Sequence, residues 1–358
     1  MIDFLVIGGG VAGVSAGARL SHLGQVVLVE SEPALGYHAS GRSAALYEAQ
    51  YGLPSTIDLN IASGAYHRTA NGGYLTDRGF LLIAGAHEKA AFDKDAKDLH
   101  AKEIAVAEAC KMVPILDRDA LSWAAFHAEA YDIDTDRLIQ DFARDIRAQA
   151  GAVHMGQRVE RIERLSPGWR VWTDTSAFEC RNLVNAAGAW ADRVAEMAGI
   201  APIGLTPLRR SMARIAAPGG YDVSAWPMIF GPGETWYAKP DAGALLVSPA
   251  DEDPCPPQDA WADDLVLAEG LARYQDYVTE PVTRPIATWA GLRTFSPDRA
   301  LILGPDPGTP SFVWCAGQGG YGFQTAPAAS QLLADLVAGR NNELPAHTIS
   351  ALRPDRLR

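Results

Sequence analysis

The sequence predicts an α/β fold in which a parallel, helix-flanked sheet is interleaved with an α+β unit built on an antiparallel sheet. Three observations predict it. Phe4 to Ile7 is a short apolar run that enters a glycine-rich turn and then a helix. Two further turns of small residues between strand and helix follow, at Asn185 to Trp190 and at Gly317 to Gly322. Between these, residues 206 to 250 read as antiparallel strands with Lys239 to Gly243 as a hairpin turn. Strand–helix alternation at both ends with an antiparallel block inserted implies two interleaved units, not one doubly wound sheet. The boundaries that follow are 1–50, 139–204 and 297–358 for the first unit, and 51–138 and 205–296 for the second.

The elements between these landmarks follow from pattern. Val26 to Val29 is a second buried strand, ending at Glu30. Residues 37 to 45 are small and polar, and the chain then turns helical, which would put Leu46 and Glu48 on a helix. Gly79 to Ala84 reads as a strand, and the Ala-, Lys- and Glu-rich stretch from 86 to 128 as mostly helical. Asp134 or Thr135 can cap a helix whose Leu138, Phe142 and Ile146 share one face. A meander of 158–164, 169–173 and 180–184 comes next. The acidic, Pro-rich stretch from Asp251 to Pro257 is a loop, and 259–276 a helix. Phe312 to Ala316 is a strand, and a helix runs from about Gln324 to Leu336.

Composition narrows the function classes. The chain has 358 residues, 48% of them hydrophobic, enough for sizeable cores. A net charge of −12 argues against nucleic acid or an anionic membrane as principal partner. Cys110, Cys180, Cys255 and Cys315 are far apart, and the histidines lack metal-ligand spacing, so no zinc site or disulfide framework is expected. The first strand follows Met1 closely with no basic, apolar leader, so a reduced cytoplasm is the expected location.

The opening turn carries the chemistry. Gly8, Gly10 and Gly13 fit the G-x-G-x-x-G of a Rossmann-like dinucleotide site, which needs the tight turn, the close pyrophosphate approach and the close helix packing those positions allow. Val11 and Ala12 begin a helix whose N–H groups face phosphate, and Glu30, with Ser31 beside it, stands where a carboxylate binds ribose hydroxyls. Glycine turns at 8, 185 and 317 are spread along the chain, which suits a long ligand such as FAD better than a nicotinamide cofactor. The helix N-terminus at Gly319 to Gly322 would then stabilise negative charge on a reduced flavin.

The motifs Gly8 to Gly13, Glu30, Ser40 to Ala44, Val184 to Gly188, Trp289 to Arg293 and Gly317 to Gln324 occur in the order found in one family. They resemble the D-amino acid oxidase/dehydrogenase family of FAD enzymes over roughly residues 2 to 345. Tyr37-His38, the run to Ala45, Tyr51-Gly52, Tyr237 to Gly243 and the pair Arg209-Arg210 look most like the bacterial D-arginine dehydrogenase type. The resemblance implies a Rossmann-like FAD-binding domain interleaved with a substrate domain whose antiparallel sheet covers the flavin. It implies non-covalent FAD contacts at Ser40, Gly41, Arg42, Ser43, Ala44, Val159, Ala187, Gly188, Trp190, Gly319, Gly320, Tyr321, Gly322, Phe323 and Gln324. Related sarcosine oxidases attach flavin through a cysteine near the segment that here reads Thr294-Phe295, and none stands there; His38 is the remaining attachment candidate.

The same resemblance makes Arg293 the clamp for a substrate carboxylate, with Tyr237 as a second donor and Arg210, not Arg209, turned inward. Tyr51 falls near the substrate or in a lid, and Gln324 with the Gly320 backbone would offer acceptors to the substrate amine. Arginine-selective members carry an acid where this chain has Gly79 and a histidine where it has Leu46, so a neutral or apolar side chain is expected in that pocket. Arg78 reads as a solvated strand-edge residue, and Glu48 as a solvated helix face, with an ammonium partner as its alternative. The expected activity is oxidative deamination of a D-amino acid to an imino acid, then a 2-oxo acid and ammonia. The enantiomer and the electron acceptor (oxygen, quinone or dye) stay open. Alternatives are oxidation of a secondary amine such as sarcosine, proline or an opine, a tRNA-modifying flavoenzyme, and a non-catalytic flavin subunit.

Overall fold

The computed structural model describes residues 1–282 and 284–358. An eight-stranded sheet runs in the order Val159–Arg164, Trp169–Thr173, Ala177–Asn185, Ile2–Ile7, Val26–Val29, Ala152–His154. Phe312–Ala316 adds to the far half of Ala177–Asn185, and Ile302–Pro305 pairs with it in turn. The parallel strands are apolar on both faces, as burial between helical layers requires: Val26 to Val29 are all buried. Register places Ile7 beside both Val29 and Asn185, and Asn185 beside Trp314. Three neighbouring strands therefore release their chains at one edge, where a ligand finds the carboxyl ends of a parallel sheet.

The helix Val11–Leu20 packs against the helices Thr135–Ala148 and Gly322–Ala338. Gly17 makes this approach possible, because a Cβ there would lie 2.8 Å from Ile146 Cδ1. Asp134 caps Thr135–Ala148, accepting from the Arg137 N–H at 3.2 Å, and Leu138, Phe142 and Ile146 are fully buried. Burying each contributes about 1.5–3 kcal/mol.

A nine-stranded sheet carries the rest, in the order Asp253–Pro254, Thr206–Ala216, Ala244–Ser248, Tyr237–Asp241, Met228–Phe230, Phe80–Ala84, Trp123–His127, Lys102–Ile104. Ala287–Phe295 pairs along nine residues of Thr206–Ala216. A small sheet of Leu46–Glu48, Ala130–Ile133 and Leu75–Asp77 lies between the two large ones in sequence.

Three sequence expectations are corrected. Leu46–Glu48 is a strand, not a helix, and the following helix begins only at Pro54. Backbone pairing with Ala130–Ile133 and the grip of Lys239 Nζ on the Ala44 and Ala45 carbonyls hold the segment extended. Residues 86 to 128 hold two short helices, Lys89–Asp98 and Val106–Met112, and two strands, because sheet pairing with Phe80–Ala84 overrides local composition. The helix expected over 259–276 is shorter, Asp264–Gln275, since Asp263 caps it by accepting from the N–H groups of Leu265 and Val266.

Candidate active site

Gly8, at φ +112°, is where the first strand turns, and a Cβ there would sit 2.4 Å from the Ala186 carbonyl oxygen. Gly13 sits on the neighbouring helix turn, where a Cβ would fall 1.8 Å from the Gly8 carbonyl oxygen. Only glycine lets the opening turn, the first helix and the turn at 186 meet this closely. Gly10 caps the helix without a side chain, and Ser40 Oγ accepts the Val11 N–H at 3.0 Å. The Glu30 carboxylate accepts from the Gly9 N–H on one oxygen and from the Glu32 N–H, at 2.8 Å, and Ser31 on the other. It is fixed in place yet still forms part of the cavity wall.

One cavity of about 1180 Å³ runs from this edge of the parallel sheet to the face of the antiparallel one. Its near end takes Gly8, Gly10, Val11, Ala12, Glu30 and Ser31, with Val159, Ala187, Gly188 and Trp190 around them. The loop residues Ser40, Arg42, Ser43 and Ala44 line its middle. Gly319, Gly320, Tyr321, Gly322, Phe323 and Gln324 line the far part, at the start of a 17-residue helix. Gly13 and Gly41 are the exceptions among the expected cofactor contacts. Neither lines the cavity; Gly13 packs on Gly8, and Gly41 on the Gly36 carbonyl. Arg42 lines it but spends its guanidinium on the Ala260 and Ala290 carbonyls and Asp259, tying the loop to the antiparallel side.

The shape and donors suit FAD. A long cavity begins at a glycine-built helix N-terminus, passes a fixed carboxylate, and ends at a second helix N-terminus. The space at Gly188 is open, with no atom within 4 Å of where a Cβ would stand. Among the described residues no cysteine lines the cavity. Cys315 is buried, and burial pushes its thiol up to about 12. His38 is engaged by Glu32 at 3.0 Å and lies against the Trp190 ring. No group of metal-ligating side chains occurs among the described residues, and none of their helices is long and apolar enough to cross a membrane.

The far wall is set by the pairing of Thr206–Ala216 with Ala287–Phe295. Leu208 stands opposite Arg293 and Arg210 opposite Gly291, so both arginines project from one face as diagonal neighbours. Arg209 takes the other face, paired with Asp253 at 2.9 Å and Asp251 at 3.4 Å. Arg210 is 5% exposed and pairs with Glu252 at 3.1 Å, which Arg299 also holds. Arg293 differs: among the described residues no carboxylate forms an ion pair with it. Its guanidinium lies against Gly320, where a Cβ would be 2.9 Å from Nη1. Burial opposes its charge, but Tyr237, Tyr51, Glu234 and Glu252 around it outweigh burial and raise its pKa.

Tyr237 is buried and its hydroxyl points at Met212 Sδ, 3.6 Å away. Tyr51 donates to Glu234 at 3.1 Å and packs on Tyr321, and burial pushes its phenol up. Gln324 departs from expectation. Its Oε1 accepts the Glu48 N–H at 3.1 Å, so this acceptor binds backbone and does not stand free for an amine. Leu46 lines the cavity, but Gly79 does not. Gly79 is a φ +66° turn residue packed under Phe126, and the next residue, Phe80, forms the wall. Arg78 is not solvated either: it holds Asp132 at 2.6 Å and the Ser224 and Trp226 carbonyls.

Sequence reasoning placed Glu48 on a solvated helix face, and the structure reverses this. Glu48 lies on a strand, is 4% exposed, and with Leu46 faces the cavity while Tyr47 faces the core. Burial pushes its carboxyl up to about 7. Its alternation with Leu46 would have revealed it, had residues 46 to 48 been read as extended.

The family model DAO, FAD dependent oxidoreductase, matches residues 3–336. FAD-dependent oxidoreductase domain-containing protein 1 from Bos taurus is 23% identical over 94% of this chain and 81% of its own length. Glycine oxidase from Geobacillus kaustophilus is 22% identical over 94% of this chain and 92% of its own. The crystal structure of that glycine oxidase superposes at a TM-score of 0.82, with 98% of each chain covered. L-proline dehydrogenase from P. horikoshii, 22% identical, superposes at 0.83 over 99% of this chain and 97% of its own. None of these three is a D-arginine dehydrogenase, so that finer likeness rests on the quoted motifs alone. With a cavity shaped for FAD and a family match over nearly its whole length, the chain belongs to the DAO family of FAD-dependent oxidoreductases.

Proposed function

We propose that this protein oxidises an amine that carries a carboxylate, with a D-amino acid as the first candidate and non-covalent FAD as its cofactor. The observation that carries this reading is Arg293, a partly buried guanidinium on the cavity wall with no carboxylate partner among the described residues. A cation partly withdrawn from water without a partner is costly, and a substrate carboxylate satisfies it by bidentate pairing. Arg210 stands beside it, with a buried Nε that makes no hydrogen bond. In this reading residues 1–50, 139–204 and 297–358 hold FAD, and 51–138 with 205–296 present the substrate.

When bound, FAD supplies the hydride acceptor at its N5. Gly8, Gly10, Val11 and Ala12 would face its pyrophosphate, Glu30 its ribose, and Gly319 to Gln324 its ring. Arg293 and Tyr237 orient the substrate by its carboxylate, and orientation is most of what this chemistry needs. The Gly320 backbone lines the place next to Arg293. Tyr51, joined to Glu234, lines the cavity close to Arg293. The imino acid product hydrolyses in water to a 2-oxo acid and ammonia.

A second reading, oxidation of glycine-like or secondary amines, is supported by the likeness to glycine oxidase and L-proline dehydrogenase. Both readings use the same clamp. The test is a panel of D- and L-amino acids, sarcosine and proline, scored by anaerobic reduction of the bound flavin. D-selective reduction supports the first reading, and reduction only by secondary amines or L-proline replaces it with the second.

A further inference from the structure

The acidic residues around the cavity fall into two groups. Glu32, Asp95, Asp98, Glu196, Glu234 and Asp259 sit at its rim, more open to solvent. Glu30 and Glu48 are buried, and Glu30 is committed to the opening turn, where it accepts the Gly9 N–H. Glu48 is thus the buried acid of the other end, among Leu46, Phe80, Met212, Met228 and Phe230.

Its surroundings leave the carboxyl half used. Oε1 accepts the Gln50 N–H at 2.9 Å. Oε2 has no hydrogen bond; His127 Nε2 stands 3.2 Å away but off the line of one. His127 packs on Phe80, which also forms the cavity wall. A shielded carboxyl oxygen without a hydrogen bond, on a residue that lines an apolar stretch of the cavity, is an acceptor short of a donor.

We propose that Glu48, backed by His127, is a specificity-determining residue that receives a hydrogen-bond-donating or cationic group of the substrate, away from the carboxylate held by Arg293. This rests on the function proposed above and changes its substrate class. A purely apolar side chain would leave the carboxyl stranded, and an acidic one would meet like charge. The acid absent at Gly79 is thereby supplied from a different strand.

The groups that face Glu48 set its ionisation. They are the Gln50 N–H and Glu129, in the turn beyond the paired strand, with His127 standing beside the carboxyl. The packed helices contribute the neutral amides of Asn60 and Gln324 to its backbone, with His67 behind them on the Gln324 carbonyl. Asp132, on the paired strand, is committed to Arg78 and Lys239. Burial raises the carboxyl of Glu48 and depresses His127, so the pair favours its uncharged forms until pH passes about 7.

The test uses ligands that lack an α-amine: 5-aminopentanoate against pentanoate, bound to the FAD-loaded protein and read by perturbation of the flavin spectrum. The wild type should bind the ω-amino compound about tenfold or more tightly at pH 8 than pentanoate, with a smaller ratio at pH 6. Glu48→Gln, which keeps the shape, should reduce the ratio and remove its pH dependence, and Glu48→Leu should invert it. The matching kinetic signature is a KM effect, with lysine favoured over norleucine in the reactive configuration and kcat little changed. An unchanged ratio in Glu48→Gln and Glu48→Leu overturns the inference and leaves Arg293 as proposed. If neither carboxylate binds and no amino acid reduces the flavin, the proposed function itself fails.

Discussion

The two ends of the cavity are built in different ways. The end at the parallel sheet comes largely from one continuous stretch, Ile2 to Glu30, where backbone geometry shapes the wall. Glycines there are required because a Cβ at Gly8 or Gly13 would strike the carbonyl oxygen of Ala186 or Gly8. The other end is assembled from side chains on separate strands: Glu48, Phe80, Arg210, Tyr237 and Arg293. The first can be read locally; the second exists only after folding. In the proposed function this contrast also separates what each end controls: the first would retain the cofactor and the second choose the substrate.

Four predictions press on that contrast, from the largest effect to the smallest. Arg293→Ala should keep FAD but lower kcat/KM about a thousandfold, on the order of 4 kcal/mol, with Arg293→Lys recovering only part. Loss of flavin from this variant would break the separation of the two ends. In the opposite sense, Gly13→Ala should lose FAD on gel filtration and cost on the order of 3 kcal/mol of stability, because the backbone must shift to admit the Cβ. A fully flavinated, equally stable variant would contradict the close packing of strand and helix.

Glu48 gives a prediction with a definite sign. Its folded pKa of about 7 lies above the ordinary 4.5, so between those values the native state keeps a proton that the unfolded state has lost. Stability therefore falls as pH rises through this window, by roughly 3 kcal/mol for this group. Glu48→Gln lacks the term, so its stability relative to wild type should improve between pH 5 and pH 8 in urea denaturation. A constant difference across that range would place the carboxyl in contact with water. Smallest of the four, Asp134→Ala should cost about 1 kcal/mol through loss of the helix cap, with FAD affinity and kcat/KM unchanged.

Legibility in the sequence follows the same division. The first strand, turn and helix, the helix capped at Asp134, the meander and the hairpin expected at Lys239 to Gly243, whose turn the structure narrows to Ala242-Gly243, were visible, because each is specified by residues close in sequence. Leu46–Glu48 was hidden, because three residues carry too little pattern and a distant Lys239 keeps them extended. The errors at Glu48, Gln324 and Gly79 all descend from that one strand and its neighbours. Once it pairs with Ala130–Ile133, Glu48 turns inward and its N–H takes the amide oxygen of Gln324. Gly79 then serves a turn between strands, and Phe80 forms the wall in its place. Arg293 and Arg210 were legible by family likeness, and their shared face became visible only through the register of two long strands.

The most direct test of the account is anaerobic mixing of the FAD-loaded protein with the amino acid and amine panel, in wild type and in Arg293→Ala. The account predicts rapid loss of oxidised-flavin absorbance in wild type with at least one carboxylate-bearing amine, and little in the flavin-replete variant. Equal reduction in both proteins, or none by any amine, would contradict it.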